Sequence, residues 1–487
     1  MGRGIMQWAV EAGADVIAFD TCAGAAEEAC RFVNAMLDRS VVKGRIAADA
    51  RDDMTSCLRQ VAAIGDISSC DIVIEAIVED LDAKRRLFAG LEDVVSDQAI
   101  LCTNTSSLSV TACAGECRLP GRVAGMHFFN PVPLMKVVEV VRGERTDASV
   151  VERLLELVRR SSHRPVVCSD TPGFVVNHAG RGLYTEGLRI LREGVAGYAD
   201  VDRVMRDCAG FPMGPFELFD LTGLDVSSKV LREIYESFFH ERRYQPSPMV
   251  YRRVAAGLYG RKSGQGFYGY ADGRKVEPPE AEIPAVCDAS FIIDAAPEIE
   301  ASFAANLVAG GLRQVQQNAE IIVVAPLGTD ATTAAVAGGH DPSRVVAIDP
   351  LAQTSFDGAT RATIMGTPVT SSEALDAVHA ALIGAGYRVT RITDSPGFIL
   401  QRVLATIVNI ACEIAQQRIA SPDDIEAGVK LGLGYPQGPF DLGDSIGAAV
   451  VLKILEGLQA CTSDPRYAPS LWLRRRAMLG LSLSTPD

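Results

Sequence analysis

An internal repeat is the feature of this 487-residue chain that most limits its possible folds. Pro172-Gly173-Phe174 recurs as Pro396-Gly397-Phe398, and Phe211-Pro212-Met213-Gly214-Pro215-Phe216 recurs as Tyr435-Pro436-Gln437-Gly438-Pro439-Phe440. Both recurrences have the same offset along the chain, so the segment between the two motifs has the same length in both copies. Because the residues from about 170 onward show helical patterns, the repeat predicts a duplicated helical domain.

The residues before the first copy alternate apolar strands with helices. Short apolar runs at 15–20, 70–77, 99–104 and 122–127 predict buried strands, and 23–63 reads as helical. Strands that are apolar on both faces are typical of a parallel sheet covered by helices on both sides. The first part of the chain is therefore predicted to be an α/β domain.

These patterns divide the chain into five segments. The expected segments are an α/β domain at 1–169, helical copy 1 at 170–273, a linker region rich in Pro, Glu and Ala at 274–319, a small degenerate α/β unit at 320–393, and helical copy 2 at 394–487. The sequence therefore predicts an α/β domain followed by all-α domains.

Composition excludes several functional classes. There are 61 acidic and 47 basic residues, and a net charge of −14 repels nucleic-acid backbones, so no nucleic-acid partner is expected. The 12 cysteines lack metal-ligand spacing, which argues against a metal site and favours a reducing cytoplasm. The sequence has no apolar run of about 18 residues and no signal-peptide pattern, so we expect a cytoplasmic protein that is not in a membrane.

Asp20 is a candidate cofactor ligand. It ends the first apolar strand about 18 residues after Gly2, where a carboxylate can bind both ribose hydroxyls of NAD and repel the 2′-phosphate of NADP. The alternative is that Asp20 caps the following helix. Of the glycine-rich turn that normally precedes such an acid, the sequence contains only Met1-Gly2-Arg3-Gly4.

A histidine and a glutamate form a candidate acid–base pair. His127 ends an apolar strand, and Glu139 lies twelve residues later in a second apolar strand, where a carboxylate needs a partner. A carboxylate bonded to one imidazole nitrogen leaves the other nitrogen able to take a proton. Taken singly, His127 could be a core histidine and Glu139 a strand-edge charge.

Polar residues follow two further elements. The run Thr103–Ser109 comes after a buried strand, and its hydroxyls could bind a substrate oxygen or cap a helix. Asn177 lies in the first turn of the first helical copy, where its amide could face the sheet or be solvated.

Taken together, these residues resemble the 3-hydroxyacyl-CoA dehydrogenase family over positions 1–270. The matching elements are Met1-Gly2-Arg3-Gly4-Ile5, Asp20, Glu75-Ala76-Ile77, Glu79, Lys84, Thr103-Asn104-Thr105-Ser106-Ser107, Met126-His127-Phe128-Phe129-Asn130-Pro131, Glu139, Thr171-Pro172-Gly173-Phe174, Asn177 and Gly260-Arg261-Lys262-Ser263-Gly264-Gln265-Gly266-Phe267-Tyr268. The resemblance implies a Rossmann-like first domain and NAD as cofactor.

Each matching position acquires an implied role. The resemblance implies that His127 is the general base, that Glu139 orients it, and that Ser106 and Asn177 hydrogen-bond the reacting part of the acyl chain. The positions implied to bind NAD are Gly2, Asp20, Ala76, Glu79, Lys84, Asn104, Asn130 and Lys262.

Two departures from the family pattern stand out. The first strand and the first two glycines of the phosphate loop are not in this sequence, so we expect the sheet to lack a central strand and NAD to bind weakly unless both lie upstream. In the second half, Asp349, Thr363 and Gln401 occupy the positions of His127, Glu139 and Asn177. The second half is therefore interpreted as structural, with one active site per chain.

The resemblance implies NAD-dependent oxidation of (3S)-3-hydroxyacyl-CoA to 3-oxoacyl-CoA. The longer architecture with two helical copies resembles bacterial dehydrogenases of 3-hydroxybutyryl- and 3-hydroxyadipyl-CoA, which implies a short-chain or dicarboxylic substrate in fatty acid or phenylacetate catabolism. Two alternatives stay open: a catalytically weak NAD- or CoA-binding protein, and a dehydrogenase of small β-hydroxyacids. We expect an acyl-CoA partner and packing of the two helical copies within one chain, and a homo-oligomer stays open.

Overall fold

The computed structural model describes residues 1–286, 288–352, 356 and 358–487, and the omitted positions fall in the predicted linker and second α/β unit. The chain forms two compact units: unit 1 comprises 1–178 and 417–434, and unit 2 comprises 179–416 and 435–487.

Helices and strands alternate through the first third of the chain. They are α1 Gly2–Glu11, β1 Val16–Ala18, α2 Ala25–Val42, α3 Ala48–Ser56, β2 Leu58–Gln60, β3 Ile72–Glu75, α4 Leu81–Glu92, β4 Ile100–Thr103, α5 Val110–Cys113, β5 Val123–Phe128, β6 Val137–Arg142, α6 Ala148–Arg159, β7 Arg164–Ser169 and α7 Val176–Ala179. This order confirms the predicted α/β class.

Helices dominate the next part of the chain. They are α8 Arg181–Arg192, α9 Tyr198–Ala209, α10 Pro215–Thr222, α11 Leu224–Ser237 and α12 Pro248–Ala255, followed by the hairpin strands β8 Gly269–Ala271 and β9 Arg274–Val276.

A second α/β region and a second set of helices complete the chain. The α/β region contains β10 Ser290–Asp294, α13 Pro297–Ala309, β11 Arg313–Gln314, β12 Ile321–Val324, α14 Ala331–Gly338, β13 Val345–Ile348, β14 Arg361–Gly366, α15 Ser372–Gly384 and β15 Arg388–Ile392. The helices are α16 Leu400–Gln416, α17 Pro422–Leu433, α18 Pro439–Ile446, α19 Ala448–Thr462 and α20 Leu471–Leu479.

The main sheet of unit 1 has the order β3-β4-β5-β6-β7. Alternate residues of its strands face two cores: Ile100 and Met126 pack against α1 and α6, while Leu101 and Val123 pack against α4 and α5. The predicted parallel sheet is confirmed for β3, β4 and β5, whereas β6 runs antiparallel to β5. The short connection 129–136 explains this, since a parallel crossover needs a dozen or more residues.

Strand β1 stands apart from the main sheet. Val16–Ala18 pairs with Leu58–Gln60 in a separate two-stranded sheet, and neither strand hydrogen-bonds to β3. This gap between β1 and β3 agrees with the expectation that the sheet lacks a central strand. The prediction that 23–63 is all helical is wrong at β2. Pairing with β1 outweighs the local helix propensity of these residues.

Unit 2 contains a six-stranded sheet of order β11-β10-β12-β13-β14-β15. The prediction that 274–319 is a linker is wrong for its second half. Strand β10, Ser290–Asp294, pairs there with both β11 and β12, and helix α13 follows it. Strands β12 to β15 follow β4 to β7 at nearly the same offset as the repeated motifs, and they repeat the parallel and antiparallel pairings of those strands. The duplication therefore extends from the helices into the sheet.

The two helical copies pack against each other through α8 and α16, as predicted. A side chain at Gly182 would come within 2.9 Å of the Cα atom of Ile407, so the helices approach closely. The buried carboxylate of Glu186 lies 2.6 Å from the guanidinium of Arg402 and accepts a 2.6 Å hydrogen bond from Tyr467. Contacts between the copies are thus both apolar and charged.

No single helix in the described part of the chain has the length and apolar character needed to cross a membrane. One bent pair, Pro439–Ile446 with Ala448–Thr462, meets the length and composition requirement with a 90° bend.

Candidate active site

The strand register brings His127 and Glu139 together. Strands β5 and β6 are joined by a short connection, and His127 pairs directly with Glu139 across the ladder. The Nδ1 atom of His127 lies 2.6 Å from Oε2 of Glu139, and both side chains are almost fully buried. Because a carboxylate oxygen accepts, Nδ1 is the donor of this bond, and in a neutral imidazole Nε2 is then the nitrogen that can take a proton.

The repeated Pro-Gly-Phe motif holds the second oxygen of this carboxylate. Gly173 and Phe174 adopt φ angles of +76° and +49°, which turn the chain before α7. The backbone N–H groups of Val175 and Val176 then donate to Oε1 of Glu139 at 2.9 and 2.8 Å. Both oxygens of Glu139 are bound, so the carboxylate is fixed in place. The sequence did not indicate these backbone donors.

Two aromatic rings contact the imidazole. The ring centroids of Phe129 and Phe174 lie 4.4 and 5.6 Å from that of His127. These contacts and the bond to Glu139 restrict rotation of the imidazole ring. The site can therefore present Nε2 in one orientation, which is the requirement for a general base.

Glu79 organises the polar loop after β4. Its Oε1 atom accepts hydrogen bonds from the hydroxyl of Thr105 at 2.6 Å, the N–H of Ser106 at 3.0 Å, and the N–H and hydroxyl of Ser107 at 3.2 and 2.9 Å. Burial raises the pKa of Glu79, but the Thr105 hydrogen bond and the charge of Lys84 outweigh it, so the net pKa lies below the ordinary value. The exposed Ser106 is thus held at the carboxyl end of β4.

A buried ion pair lies behind this loop. The ammonium of Lys84 is 2.7 Å from Oε1 of Glu75 and 3.3 Å from Oε2 of Glu79, with 1% of the Lys84 side chain exposed. The hydroxyl of Thr103 also donates to Glu75. Sequence reasoning missed the role of Glu75, although a carboxylate at the end of an apolar strand is a signal that could have revealed it.

The remaining predicted cofactor positions of unit 1 lie at strand ends and at the start of α1. Asp20 is exposed after β1 and its Oδ1 accepts the N–H of Cys22 at 2.8 Å; α2 begins after Gly24, so the capping alternative is wrong. Ala76 follows β3, Asn130 follows β5, and Asn104 follows β4, where its amide oxygen accepts the Phe128 N–H at 2.9 Å.

These groups fit a dinucleotide. A Cβ atom at Gly2 would meet no other atom within 4 Å, and the first turn of α1 contains no acidic side chain, so its N-terminus can accept a phosphate. An exposed carboxylate such as Asp20 suits ribose hydroxyls. Lys84 differs from the other positions, because its ammonium is buried between two carboxylates.

Asn177 and Lys262 occupy different units. Asn177 is the second residue of α7 and is half-buried in unit 1. Lys262 belongs to unit 2, where its ammonium lies 2.6 Å from Oδ1 of Asp225. The loop that carries Lys262 is held by Asp220, whose carboxylate accepts the N–H groups of Phe267 and Tyr268, both at 2.8 Å.

The corresponding edge of the second sheet is filled by its own side chains. Asp349 and Thr363 oppose each other as His127 and Glu139 do, with the Asp349 N–H donating to the Thr363 carbonyl at 2.9 Å. Gln401 donates to Oδ1 of Asp349 at 2.9 Å and accepts the Gly328 N–H at 2.8 Å. In the described part of the chain Oδ2 of Asp349 has no hydrogen-bond partner, and burial raises the pKa of Asp349 to about 6.

Comparison with known proteins agrees with this architecture. Residues 1–171 match the family model of the 3-hydroxyacyl-CoA dehydrogenase NAD binding domain, and residues 173–270 and 397–482 both match that of the 3-hydroxyacyl-CoA dehydrogenase C-terminal domain. The second matched segment corresponds to the second helical copy.

Similar proteins include one that matches along nearly its whole length. A 3-hydroxyadipyl-CoA dehydrogenase of Escherichia coli (strain K12) is 37% identical over 98% of this chain and 96% of its own length. A 3-hydroxybutyryl-CoA dehydrogenase of Clostridioides difficile is 36% identical over 55% of this chain and 96% of its own. The crystal structure of a 3-hydroxybutyryl-CoA dehydrogenase from Escherichia coli K12 is similar with a TM-score of 0.84 and 36% identity, covering 98% of this chain and 96% of that one.

Proposed function

The chain belongs to the 3-hydroxyacyl-CoA dehydrogenase family, and on that premise we propose that His127 is its general base and Glu139 the residue that orients this base. The protein is an oxidoreductase that acts on the CH–OH group of 3-hydroxyacyl-CoA with NAD as cofactor. The observation that carries the residue assignment is the 2.6 Å bond between the two buried side chains.

In the proposed mechanism His127 takes the proton of the 3-hydroxyl group at Nε2. When bound, NAD supplies the acceptor for the hydride that leaves C3. The carboxylate of Glu139 stabilises the imidazolium that forms, and its two backbone hydrogen bonds hold it in the correct orientation. Ser106 and Asn177 would hydrogen-bond the reacting part of the acyl chain.

We propose that NAD is held at the carboxyl ends of the strands of unit 1. Asp20 would bind the adenosine ribose, and Gly2 at the start of α1 would approach the pyrophosphate. Ala76, Glu79, Asn104 and Asn130 would line the rest of the site. Lys84 would not contact NAD directly but would hold Glu79 in place. Lys262 is the remaining position that the family resemblance assigns to NAD.

For the acyl chain we propose a short or dicarboxylic group, as in 3-hydroxybutyryl- or 3-hydroxyadipyl-CoA. The names of the similar proteins that share both helical copies support this assignment. The alternative of a catalytically weak binding protein predicts NAD binding without turnover. The fully hydrogen-bonded carboxylate beside His127 favours the enzyme, since a binding protein has no need of an oriented imidazole.

The test is the initial rate of NADH formation with 3-hydroxybutyryl-, 3-hydroxyadipyl- and long-chain 3-hydroxyacyl-CoA. We expect kcat/KM for one of the first two to exceed that for the long chain by about 10-fold or more, as the fit of an acyl pocket allows. A preference for the long chain would exclude the proposed substrate class. Absence of turnover with all three, together with intact NAD binding, would support the binding-protein alternative.

We also propose a cytoplasmic location and no nucleic-acid or membrane partner. The net charge of −14 and the cysteines without metal-ligand spacing support this. Packing of α8 against α16 within one chain makes a second chain unnecessary for covering these two helices.

A further inference from the structure

A helix of the second copy belongs to the same compact unit as the catalytic pair. Residues 417–434, which include α17, form part of unit 1. The N–H of Ser169 at the end of β7 donates to the carbonyl of Ile419 at 2.9 Å, and Arg164 lies 3.4 Å from Asp424. The segment that contains α17 therefore covers the β7 edge of the sheet whose neighbouring strands carry the catalytic pair.

Unit 2 contains the reciprocal arrangement. The N–H of Thr393 at the end of β15 donates to the carbonyl of Val195 at 3.0 Å, and the thiol of Cys208 in α9 donates to the Arg361 carbonyl in β14 at 3.3 Å. Helices α9 and α17 begin at Tyr198 and Pro422, which are separated by the offset of the repeated motifs, so they are the same helix in the two copies. Each sheet is thus covered at this edge by the helix of the other copy.

Only the helix beside the catalytic pair carries glycines at the contact. Gly428 and Gly432 of α17 correspond to Val204 and Cys208 of α9. A Cβ atom at Gly428 would lie 3.3 Å from the Val175 side chain, and one at Gly432 would lie 2.7 Å from Cγ1 of Val176. Glycine inside a helix is less favourable than alanine, so two glycines on one face of a helix require a packing reason. Here the reason is the close approach to Val175 and Val176.

These two valines are the residues whose N–H groups hold Glu139. We propose that α17 of the second copy is a positioning element of the catalytic pair: through Gly428 and Gly432 it fixes the turn at Val175 and Val176, and this turn fixes Glu139 and therefore His127. The inference rests on the proposed function of that pair. The sheet edge that precedes the second copy carries Asp349 and Thr363 in place of the catalytic pair. The proposal gives the second copy a role in the reaction that needs no contact with substrate.

The substitution Gly432→Ala tests the proposal in the full-length protein. The added methyl group must displace Val176, whose β-branched side chain has little freedom to move away. A misplacement of about 1 Å at a catalytic group can cost about 100-fold in rate, and we expect kcat to fall by about 10-fold for this smaller shift. The Kd for NAD should change by less than about 2-fold, because none of the positions proposed to bind NAD lies in this turn.

Two further variants separate positioning from general destabilisation. Val176→Ala introduced into Gly432→Ala removes the colliding methyl groups and should restore kcat to within about 3-fold of the Val176→Ala single variant. Gly90→Ala in α4 is the matched control, since a Cβ atom there meets nothing within 4 Å, and it should leave kcat unchanged. If Gly432→Ala does not fold, Gly428→Ala introduces a milder contact at 3.3 Å and is measured instead.

A spectroscopic measurement on the protein without ligands completes the test. The ring N–H proton of His127 that is bonded to Glu139 should change its NMR chemical shift in Gly432→Ala and return in the double variant. Unchanged kcat in the folded glycine variants, or a loss of kcat that Val176→Ala does not rescue, would overturn the proposal. Normal turnover in His127→Gln would instead remove the proposed function on which it rests, so the two failures are distinguishable.

Discussion

Strands β4 to β7 and β12 to β15 have the same directions and nearly the same spacing, yet the side chains at the corresponding edges of the two sheets differ. In unit 1 the opposed pair is His127 and Glu139, and the loop that follows β4 leaves Ser106 exposed. In unit 2 the opposed pair is Asp349 and Thr363, and Gln401 binds both Asp349 and the loop that follows β12. The duplicated backbone therefore carries different side chains at these three positions.

The first helices of the two α/β regions, α1 and α13, also differ in the charge of their first turns. The first turn of α1 has no acidic residue, whereas the first turn of α13 contains Glu298 and Glu300. Negative side chains satisfy the positive end of a helix dipole and repel a phosphate. In α13 the positive end of the helix is therefore neutralised by the helix's own glutamates, whereas in α1 it stays available for a phosphate.

The largest expected effect is loss of turnover in His127→Gln. Removal of a positioned general base should lower kcat by about 10²- to 10⁴-fold while the Kd for NAD stays the same. Asp349→Asn is the matched control at the equivalent position, and it should leave kcat unchanged. Steady-state kinetics and calorimetric titration with NAD measure both quantities. Near-normal turnover in His127→Gln would disprove the proposed base.

Glu139→Gln should have the next largest effect. The amide cannot stabilise an imidazolium as a carboxylate does, so we expect kcat to fall by about 10- to 100-fold. The double variant with His127→Gln should be no worse than His127→Gln alone within a factor of about 3, because the two residues act as a unit. Fully multiplicative losses would mean that Glu139 does not act through His127.

Asp349→Asn should change stability rather than activity. Burial raises the pKa of Asp349 from 3.8 to about 6, so the folded protein holds this proton more tightly than the unfolded chain. Its contribution to stability is complete below about pH 4 and is lost as the pH rises to about 6. Relative to the parent, the variant should therefore gain about 2 kcal/mol between pH 4.5 and 7.5.

Urea unfolding at the two pH values measures this difference. Asp97→Asn, at an exposed position in unit 1, serves as the matched control and should show no comparable gain. A stability difference between Asp349→Asn and the parent that is the same at both pH values would show that the buried carboxylate does not titrate in this range.

The smallest effect is expected at Gln401. Gln401→Ala should leave kcat unchanged, and titration should find one NAD and one acyl-CoA per chain in both the parent and the variant. The acidic first turn of α13 and the filled edge at Asp349 are the physical reasons. Detection of a second equivalent NAD site would show that the two regions are less different than their side chains indicate.

Much of the first sheet, and the contact between His127 and Glu139, could be predicted because the signals are local. A histidine at a strand end and a carboxylate inside the next apolar strand need each other, and a short connection fixes their register. The backbone donors Val175 and Val176 could not be predicted, because a main-chain N–H leaves no signature in the side-chain pattern. Strand β10 was missed for a different reason, since five residues between Pro-rich segments carry too little periodicity to be distinguished from a linker.

The ion pair between Glu186 and Arg402 limits whether one helical copy could replace the other. Long repeats invite recombination that replaces one copy with the other, yet at the offset of the repeat Glu186 corresponds to Ile410 and Arg402 to His178. Replacing the first copy with the second would put Ile in place of Glu186 and leave Arg402 buried without that carboxylate, which costs about 3–5 kcal/mol. At this contact the two copies, although they repeat one sequence pattern, cannot substitute for each other.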